Sequence, residues 1–256
     1  FAHALEPDLR TPSSSAVASA IGLRILKEVG CDADHLMVRR TLHWLLNAFN
    51  PLEDVWPIAA WDTNEYPHAP WWHDDNGSLA RTFDNFLVIP RAELVGLCHH
   101  YAERAPARWL RDITRQTVAD IETIEPLGTG GGDDLVYALS LAETEELTDE
   151  YRDRLLARIR CVVPDVVSTD PGEWDTYCIR PLKVAPSPQS AVADVIWDVL
   201  QEELDYQIEH QTPEGAWDPV WNWGDAYPEA WKQARREWCG HLTLETLTSL
   251  RAFDRM

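Results

Sequence analysis

The sequence predicts an all-α protein that forms a single domain of paired helices over residues 1–256. Apolar residues recur at helical spacing in most segments, and no segment alternates apolar and polar residues as a strand would. Aromatic turns follow several of the predicted helices in a repeated pattern, which indicates an array of helix pairs. With 256 residues, 45% of them apolar, the chain is long enough for one sizeable core.

Each predicted helix is marked by apolar periodicity together with residues that begin or end helices. Gly30 ends a helix that begins at residue 16, and Asp34 is expected to cap the next, which runs to Phe49. Pro90 and Pro106 each stand at the first turn of a helix. A loop of about forty residues separates the second helix from the third. The remaining helices are predicted over 133–147, from Thr148 to a loop beginning at Pro164, and over 191–210, 228–238 and 243–253.

Charge and composition exclude several classes of partner. The net charge is −21, from 43 acidic and 22 basic residues, so the surface repels phosphate backbones and nucleic acid is not an expected partner. No apolar run is long enough for a transmembrane segment, and no signal peptide opens the chain. Five dispersed cysteines without a CxxC predict a soluble, cytoplasmic protein. Because the chain begins at Phe1, we expect an initiating segment to be missing or processed.

Tryptophan-containing turns repeat along the chain, which has 13 tryptophans in all. The segments NPLEDVWP at 50–57, DPGEWD at 170–175 and QTPEGAWD at 211–218 each place a tryptophan just after a turn that follows a helix. Trp174 and Trp217 are 43 residues apart, a spacing typical of helix-pair repeats. The pattern therefore predicts one architecture repeated along the chain.

The last of these turns resembles a known repeat. The spacing of Gln211, Gly215 and Trp217 is similar to the Q-x(2–5)-G-x-W repeat of squalene–hopene cyclases, while Asn50 and Asp54 depart from it in the first turn. The resemblance implies an α/α toroid of the terpenoid cyclase and prenyltransferase superfamily. It also implies a structural role for the repeat, so it informs the fold more than the function.

The first candidate site is the pair Asp133 and Asp134. The segment from Gly131 resembles the D-x-D-D-T-A motif of class II terpenoid cyclases, which implies that Asp133 donates a proton to an alkene or epoxide. Gly131 and Leu135 depart from that motif. The alternative is that both carboxylates cap a helix and interact with its dipole.

The second candidate site lies in the long loop. Trp61, Trp71 and Trp72 stand near a histidine and two acids, which form the run His73, Asp74 and Asp75. Tryptophan faces can stabilise a carbocation or stack on a sugar ring, and a carboxyl group can supply a proton. Packing at the mouth of the domain is the alternative role for these side chains.

The third candidate site is an aromatic wall formed by Trp217, Trp221 and Trp223, to which we add Tyr177 as a substrate-binding residue. Asp175, Cys178 and His241 resemble the zinc ligands of protein prenyltransferases, but the spacing is D-x-x-C rather than D-x-C. We therefore expect no metal and no cofactor, and we expect the purified protein to carry no stoichiometric zinc.

Taken together, these features predict a terpenoid cyclase-like enzyme, an isomerase or lyase. It would carry out acid-initiated cyclisation, isomerisation or hydration of a small apolar, isoprenoid-like ligand. The alternatives are a carbohydrate-active α/α barrel, with two carboxylates and stacking tryptophans, and a non-catalytic toroid that binds a partner. The wall of the site discriminates between the first two, because sugar sites need many polar groups among the aromatics and isoprenoid sites need few. The sequence leaves the oligomeric state open.

Overall fold

The fold is all-α, as predicted. The computed structural model describes residues 1–2, 5–128 and 133–256, and in that part of the chain there are two isolated β-bridges, Leu9–His68 and Asn50–Val55, and no strand. The α-helices are α1 (Ala16–Glu28), α2 (Leu36–Ala48), α3 (Ser78–Thr82), α4 (Arg91–His100), α5 (Ala107–Thr123), α6 (Asp133–Ala142), α7 (Asp149–Val166), α8 (Pro181–Val184), α9 (Trp197–Glu209) and α10 (Pro228–Ala252).

Local chemistry explains where the first two helices begin. The hydroxyl of Ser15 accepts a hydrogen bond from the amide of Ala18 and caps α1. The expected cap of α2 by Asp34 is wrong, because His35 occupies that position without a side-chain hydrogen bond. Asp32 instead accepts the amides of Asp34 and His35, each at 2.9 Å, and orders the turn before the helix.

Tertiary packing moves several helix ends away from the predicted ones. The two helices predicted over 228–238 and 243–253 form one helix of 25 residues, α10, which continues through Gly240. A glycine inside a helix costs only about 1 kcal/mol relative to alanine, so packing along the helix overrides it. Within the described residues, neither α10 nor any other helix is long and apolar enough to cross a membrane.

Eight of the helices are arranged in two contacting rows. One row consists of α1, α4, α6 and α8, each of which contacts the next. The second row consists of α2, α5, α7 and α9, which pack on those four helices in the same order. The main hydrophobic core lies between the rows, because both contribute their buried aliphatic side chains to it.

Helix α10 links the two ends of these rows. Near its start, Ala234 packs in a cluster with Leu9 and Val17, the latter on α1. Near its end, Leu250 packs in another cluster with Leu204, on α9. The last helix therefore bridges the first and last helix pairs.

The three tryptophan turns perform the same structural task. The indole N–H of Trp56 donates to the carbonyl of Leu45 at 2.8 Å, and that of Trp217 donates to the carbonyl of Gln207 at 3.0 Å. Both carbonyls lie in the last turn of a helix, and that of Leu45 also accepts the amide of Phe49 at the helix end. Trp174 similarly donates to the carbonyl of a residue just beyond α7, at 3.2 Å. All three indoles are buried and fix the path of the chain as it leaves a helix.

We predict that Trp217→Ala lowers the free energy of unfolding by about 3–5 kcal/mol, the usual loss for a buried large aromatic. The side chain is 7% exposed, and the change also leaves a carbonyl at the end of α9 without its donor. Denaturant unfolding followed by circular dichroism measures the loss. Trp61→Ala is the matched control, because that indole is 87% exposed and its removal should cost less than about 0.5 kcal/mol. Equal losses in the two variants would contradict the bracing role.

Candidate functional site

Charged and aromatic side chains from five helices and three loops meet in one region, which we call the central cluster. The helices are α1, α4, α6, α8 and α10, and the loops lie around residues 5–10, 174–179 and 217–227. A continuous set of hydrogen bonds, ion pairs, ring contacts and charge interactions connects its members. They are Glu6, Asp8, Arg24, Glu93, Asp133, Tyr137, Tyr177, Lys183, Trp221, Trp223, Trp238, His241 and Glu245.

Asp8 is held by tryptophan side chains. Its Oδ1 accepts the indole N–H of Trp223 and that of Trp238, each at 2.8 Å. Burial raises the pKa of Asp8, while these two hydrogen bonds and the nearby indole of Trp221 act to lower it. The Trp221 Nε1 is itself buried and makes no hydrogen bond. Three indoles therefore surround one carboxyl group.

Glu6 is a buried carboxylic acid two residues earlier. Its pKa is raised from 4.5 to about 8, chiefly by burial and also by the charges of Asp8 and Asp133, whereas the Asp8 backbone amide and Arg24 act to lower it. The group is therefore protonated at neutral pH. A neutral carboxylic acid within electrostatic range of the Tyr137 and Tyr177 side chains is a distinctive chemical feature of the central cluster.

Asp133, at the start of α6, is engaged by a lysine and a tyrosine. Its carboxylate forms an ion pair with Lys183 Nζ at 2.6 Å and accepts the Tyr177 hydroxyl at 3.1 Å. The same Lys183 Nζ lies 5.3 Å from the centroid of the Tyr177 ring, close enough for a cation–π contact. These contacts hold the Asp133 carboxylate and the Tyr177 ring in a defined relative position.

Two further ion pairs lie on α1, α4 and α10. Arg24 NH1 is 3.0 Å from Glu93 Oε1, and the buried Glu93 carboxyl has a pKa raised by burial and lowered in part by that arginine. His241 Nε2 is 3.0 Å from Glu245 Oε1. Burial acts to raise the pKa of Glu245, but the bond from His241 and the charges of Arg24 and a lysine leave it lowered. These pairs add polar groups to the aromatic ones.

The aromatic rings form successive perpendicular faces. The Tyr177 and Trp221 centroids are 6.0 Å apart at 87°, and those of Trp221 and Trp238 are 5.1 Å apart at 83°. The ring of His241 lies 5.4 Å from that of Trp238. Edge-to-face contacts of this kind leave ring faces available to a ligand.

Water reaches part of the central cluster. Tyr177 is 53% exposed, and the side chains of Arg24 and Glu245 are 43% and 59% exposed. Surrounding protein nevertheless desolvates all three groups, and it raises the pKa of Tyr177. A ligand can therefore reach these side chains from solvent.

The structure brings four of the residues predicted from sequence into the central cluster. Asp133, Tyr177, Trp221 and Trp223 lie there, although Trp223 is buried behind Asp8 rather than exposed to a ligand. Trp217, the remaining member of the predicted wall, supports the end of α9 instead. Two of the loops selected from sequence therefore contribute side chains to the central cluster, while Trp217 contributes to the scaffold.

The Asp134 side chain bonds to nearby backbone. Its carboxylate accepts hydrogen bonds from the amide of Gly128 at 2.9 Å and from the amide of Leu135 at 2.8 Å, and burial raises its pKa. It borders, with Asp133, a cavity of 70 Å³, far below the roughly 300 Å³ of small-molecule sites. Gly131, which carried part of the motif comparison, and the rest of 129–132 lie outside the described residues.

The long-loop candidates are not members of the central cluster, although Trp72 shares a hydrophobic cluster with Trp223. Trp61 and Trp71 are exposed, while Trp72 is buried and stacks on a phenylalanine at 5.5 Å. His73 Nδ1 is 3.0 Å from the Nε2 atom of His68, and the two rings stack. Asp74 and Asp75 are exposed in the turn before α3, where the Asp74 carboxylate accepts the amide of a leucine. These surroundings are wet, and they offer neither acid a desolvated position.

The residues that resemble zinc ligands are engaged elsewhere. Asp175 accepts the hydroxyl of Tyr206 at 2.6 Å, the Cys178 thiol donates to the carbonyl of Glu173, and His241 contacts Glu245. In the described part of the chain, no group of three or more His, Cys, Asp or Glu side chains is arranged to hold a metal ion.

Sequence reasoning did not select Glu6, Asp8, Trp238 or Glu245 as site residues, and it named His241 only for its resemblance to a zinc ligand. Trp238, His241 and Glu245 follow each other at i, i+3 and i+7, which places them on one face of a helix, and that spacing was a usable signal. Glu6 and Asp8 lie in a short irregular segment where no periodicity exists to read.

The chain matches no protein-family model, no curated protein and no solved structure.

We predict that Asp8→Leu destabilises the fold far more than Asp8→Asn. Leucine removes the acceptor of two buried indole N–H groups, and each unsatisfied donor costs about 1–3 kcal/mol. Asparagine retains one oxygen in the same place. Denaturant unfolding of both variants against wild type measures the difference. Equal losses would show that the charge of Asp8, rather than its acceptor oxygen, matters.

We also predict that Glu6 makes the protein less stable as pH rises. Below pH 4.5 the side chain is protonated in both the folded and the unfolded chain, so it adds no pH dependence to the free energy of unfolding. Between pH 4.5 and about 8 the unfolded chain releases the proton while the folded chain keeps it, so the free energy of unfolding falls. Thermal melting of Glu6→Gln should match wild type near pH 5 and exceed it at pH 9. Parallel pH profiles for the two proteins would contradict the raised pKa.

Proposed function

We propose that the two helix rows and α10 form a small α/α toroid around the central cluster, and that the cluster is the active site of a carbohydrate-active enzyme. In this architecture α1, α4, α6, α8 and α10 make the inner wall. One observation carries the function: Glu6, a buried carboxylic acid with a raised pKa, and Asp133, a carboxylate paired with Lys183, interact electrostatically within the aromatic and polar central cluster. That pairing is the requirement for cleaving a glycosidic bond.

Glu6 is the general acid of the proposed reaction. With a pKa of about 8 it is protonated at neutral pH, and its proton is available to the oxygen of a leaving group. A pKa near the working pH favours proton transfer in both directions. When the glycosidic C–O bond breaks, the oxygen takes the proton from Glu6. Arg24 then lies close enough to interact with the carboxylate that remains.

Asp133 acts on the other reaction partner, the sugar carbon. Lys183 and the Tyr177 hydroxyl hold its carboxylate in place. A carboxylate in this state can stabilise the positive charge that develops on the sugar ring, or activate the water that completes hydrolysis. The acid and the carboxylate thereby have distinct roles, set by distinct environments.

The wall of the cluster supports a polar ligand. Tyr177, Trp221 and Trp238 offer ring faces for the apolar side of a sugar. Between them stand Arg24, His241 and Glu245, whose donors and acceptors suit hydroxyl groups. An isoprenoid site would bury few such groups, so the wall favours the carbohydrate alternative.

Acid-initiated isoprenoid chemistry is the second candidate function. It is favoured by Asp133 at the start of α6, the place that the terpenoid cyclase resemblance implies for the proton donor. Against it, the Asp133 carboxylate is engaged in an ion pair with Lys183 at 2.6 Å. Glu6 does hold a proton, but an alkene is a very weak base and a carboxyl group with a pKa of about 8 is a weak acid. Water that reaches the cluster would also quench a carbocation.

The proposed function is tested with aryl glycosides and oligosaccharides, and a parallel panel of linear prenyl alcohols and diphosphates. We predict hydrolysis of glycosides, with Glu6→Gln and Asp133→Asn each lowering kcat by about 10²–10⁴-fold. Glu6→Gln should also remove the loss of activity on the alkaline side of pH 8. Asp75→Asn is the control, because that exposed carboxylate lies outside the central cluster, and its activity should equal wild type.

Two outcomes would overturn the proposal. Conversion of the isoprenoid panel without glycoside cleavage would support the second candidate. Ligand binding to the cluster without turnover on either panel would instead indicate a non-catalytic toroid. Retained folding of each variant is checked by thermal melting at pH 5, where Glu6 is predominantly protonated in the folded chain.

A further inference from the structure

A second concave surface lies on the outer face of α2 and is built from other residues than the central cluster. It is a groove of 450 Å³ whose lining includes Leu36, Leu42 and Leu46 from α2. Arginine side chains border the same groove: Arg39 and Arg40 from α2, and Arg104 from the turn before α5. Apolar and cationic groups thus share one depression.

The charge of this groove is opposite to that of the chain. Acidic residues outnumber basic ones by 43 to 22, yet no carboxylate lines the groove. The guanidinium groups of Arg39 and Arg40 have no hydrogen-bond or ion-pair partner within the described residues. Both lie in the first turns of α2, where the helix dipole adds positive potential and attracts anions. Two adjacent cations at this end of a helix repel each other and are unfavourable without an anion.

Arg104 is held in place at the groove by two contacts of its own. Its Nε donates to the carbonyl of Ala33 at 3.2 Å, and its guanidinium forms an ion pair with the exposed Asp34. These contacts fix the side chain at the edge of the groove and leave some of its five N–H donors for a ligand. A fixed donor loses less conformational entropy when a ligand binds.

The leucines indicate that the ligand is more than a simple anion. Leu36 is 55% exposed at the edge of the groove, Leu42 is buried at its base, and Leu46 lies between these extremes. Burying such a surface under an apolar group is favourable by about 25 cal/mol per Å². The volume of 450 Å³ falls within the roughly 300–1,000 Å³ of small-molecule sites.

We propose that this groove binds a small amphiphilic organic anion. A carboxylate or phosphate monoester lies between Arg39, Arg40 and Arg104, and its apolar body lies along the three leucines of α2. Nucleic acid does not fit, because the chain carries a net charge of −21 and the groove supplies only three guanidinium groups. The site is independent of the proposed carbohydrate activity and stands without it.

The test uses octyl phosphate below its micellar concentration and isothermal titration calorimetry on the full chain. Inorganic phosphate lacks the tail, and octyl glucoside lacks the charge. We expect octyl phosphate to bind at least about tenfold more tightly than either, since a charged hydrogen bond and a buried alkyl chain are each worth more than about 1.4 kcal/mol. Rising salt should weaken it, because the arginines are exposed.

Substitutions locate the site. Arg39→Gln and Arg104→Gln should each lower the affinity for octyl phosphate about tenfold, with circular dichroism unchanged. Arg108→Gln is the matched control, since that arginine is 90% exposed on α5 and does not line the groove, and its affinity should equal wild type. Glu6→Gln should also bind as wild type does, which separates this site from the central cluster.

The proposal is overturned by any of three results: equal affinity for inorganic and octyl phosphate, equal losses in the Arg108 and Arg39 variants, or no binding of octyl phosphate at all.

Discussion

The central cluster depends on the hydrogen bonds that the carboxyl group of Asp8 accepts. Its Oδ1 accepts two indole N–H groups, from the loop before α10 and from α10 itself. Arg10 continues the same connection by pairing with Glu237 on α10. An irregular segment near the start of the chain is thereby held against its last helix, across more than 200 residues of sequence. This contact between the start of the chain and α10 brings Glu6 within electrostatic range of Asp133 and Tyr177.

Holding the start of the chain against α10 brings carboxyl groups together, which costs folding free energy. The same proximity contributes to the raised pKa on which the proposed chemistry depends. Several carboxyl groups are confined near one another with few cations, so not all of them can be ionised at neutral pH. Glu6 responds by keeping its proton, while Asp133 pairs with Lys183. Residues that work as acids are often held this way, at the expense of folding stability. The same raised pKa therefore affects both stability and the proposed chemistry.

The tryptophans divide into two structural roles. Trp56, Trp174 and Trp217 hold helix ends through their indole N–H groups, and their burial makes them part of the scaffold. Trp221 and Trp238 instead contact each other in the central cluster, where Trp238 donates to Asp8. The two groups differ in the surroundings of the indole N–H. In the first group it donates to a backbone carbonyl, and in the second it lies near the carboxyl group of Asp8. Composition alone cannot separate the two groups.

The sequence by itself determined the all-α class and most of the helices, because apolar periodicity and helix-ending residues act within a few turns of chain. It also identified the three tryptophan turns, whose indoles bond helix ends near in sequence. Tertiary structure decided the site. Glu6 and Asp8 meet α10 through contacts 215 to 230 residues apart in sequence, and the desolvation that raises the pKa of Glu6 comes from the packed neighbours. Local pattern carries no information about such distant pairings, since burial and charge interaction depend on which segments meet in space.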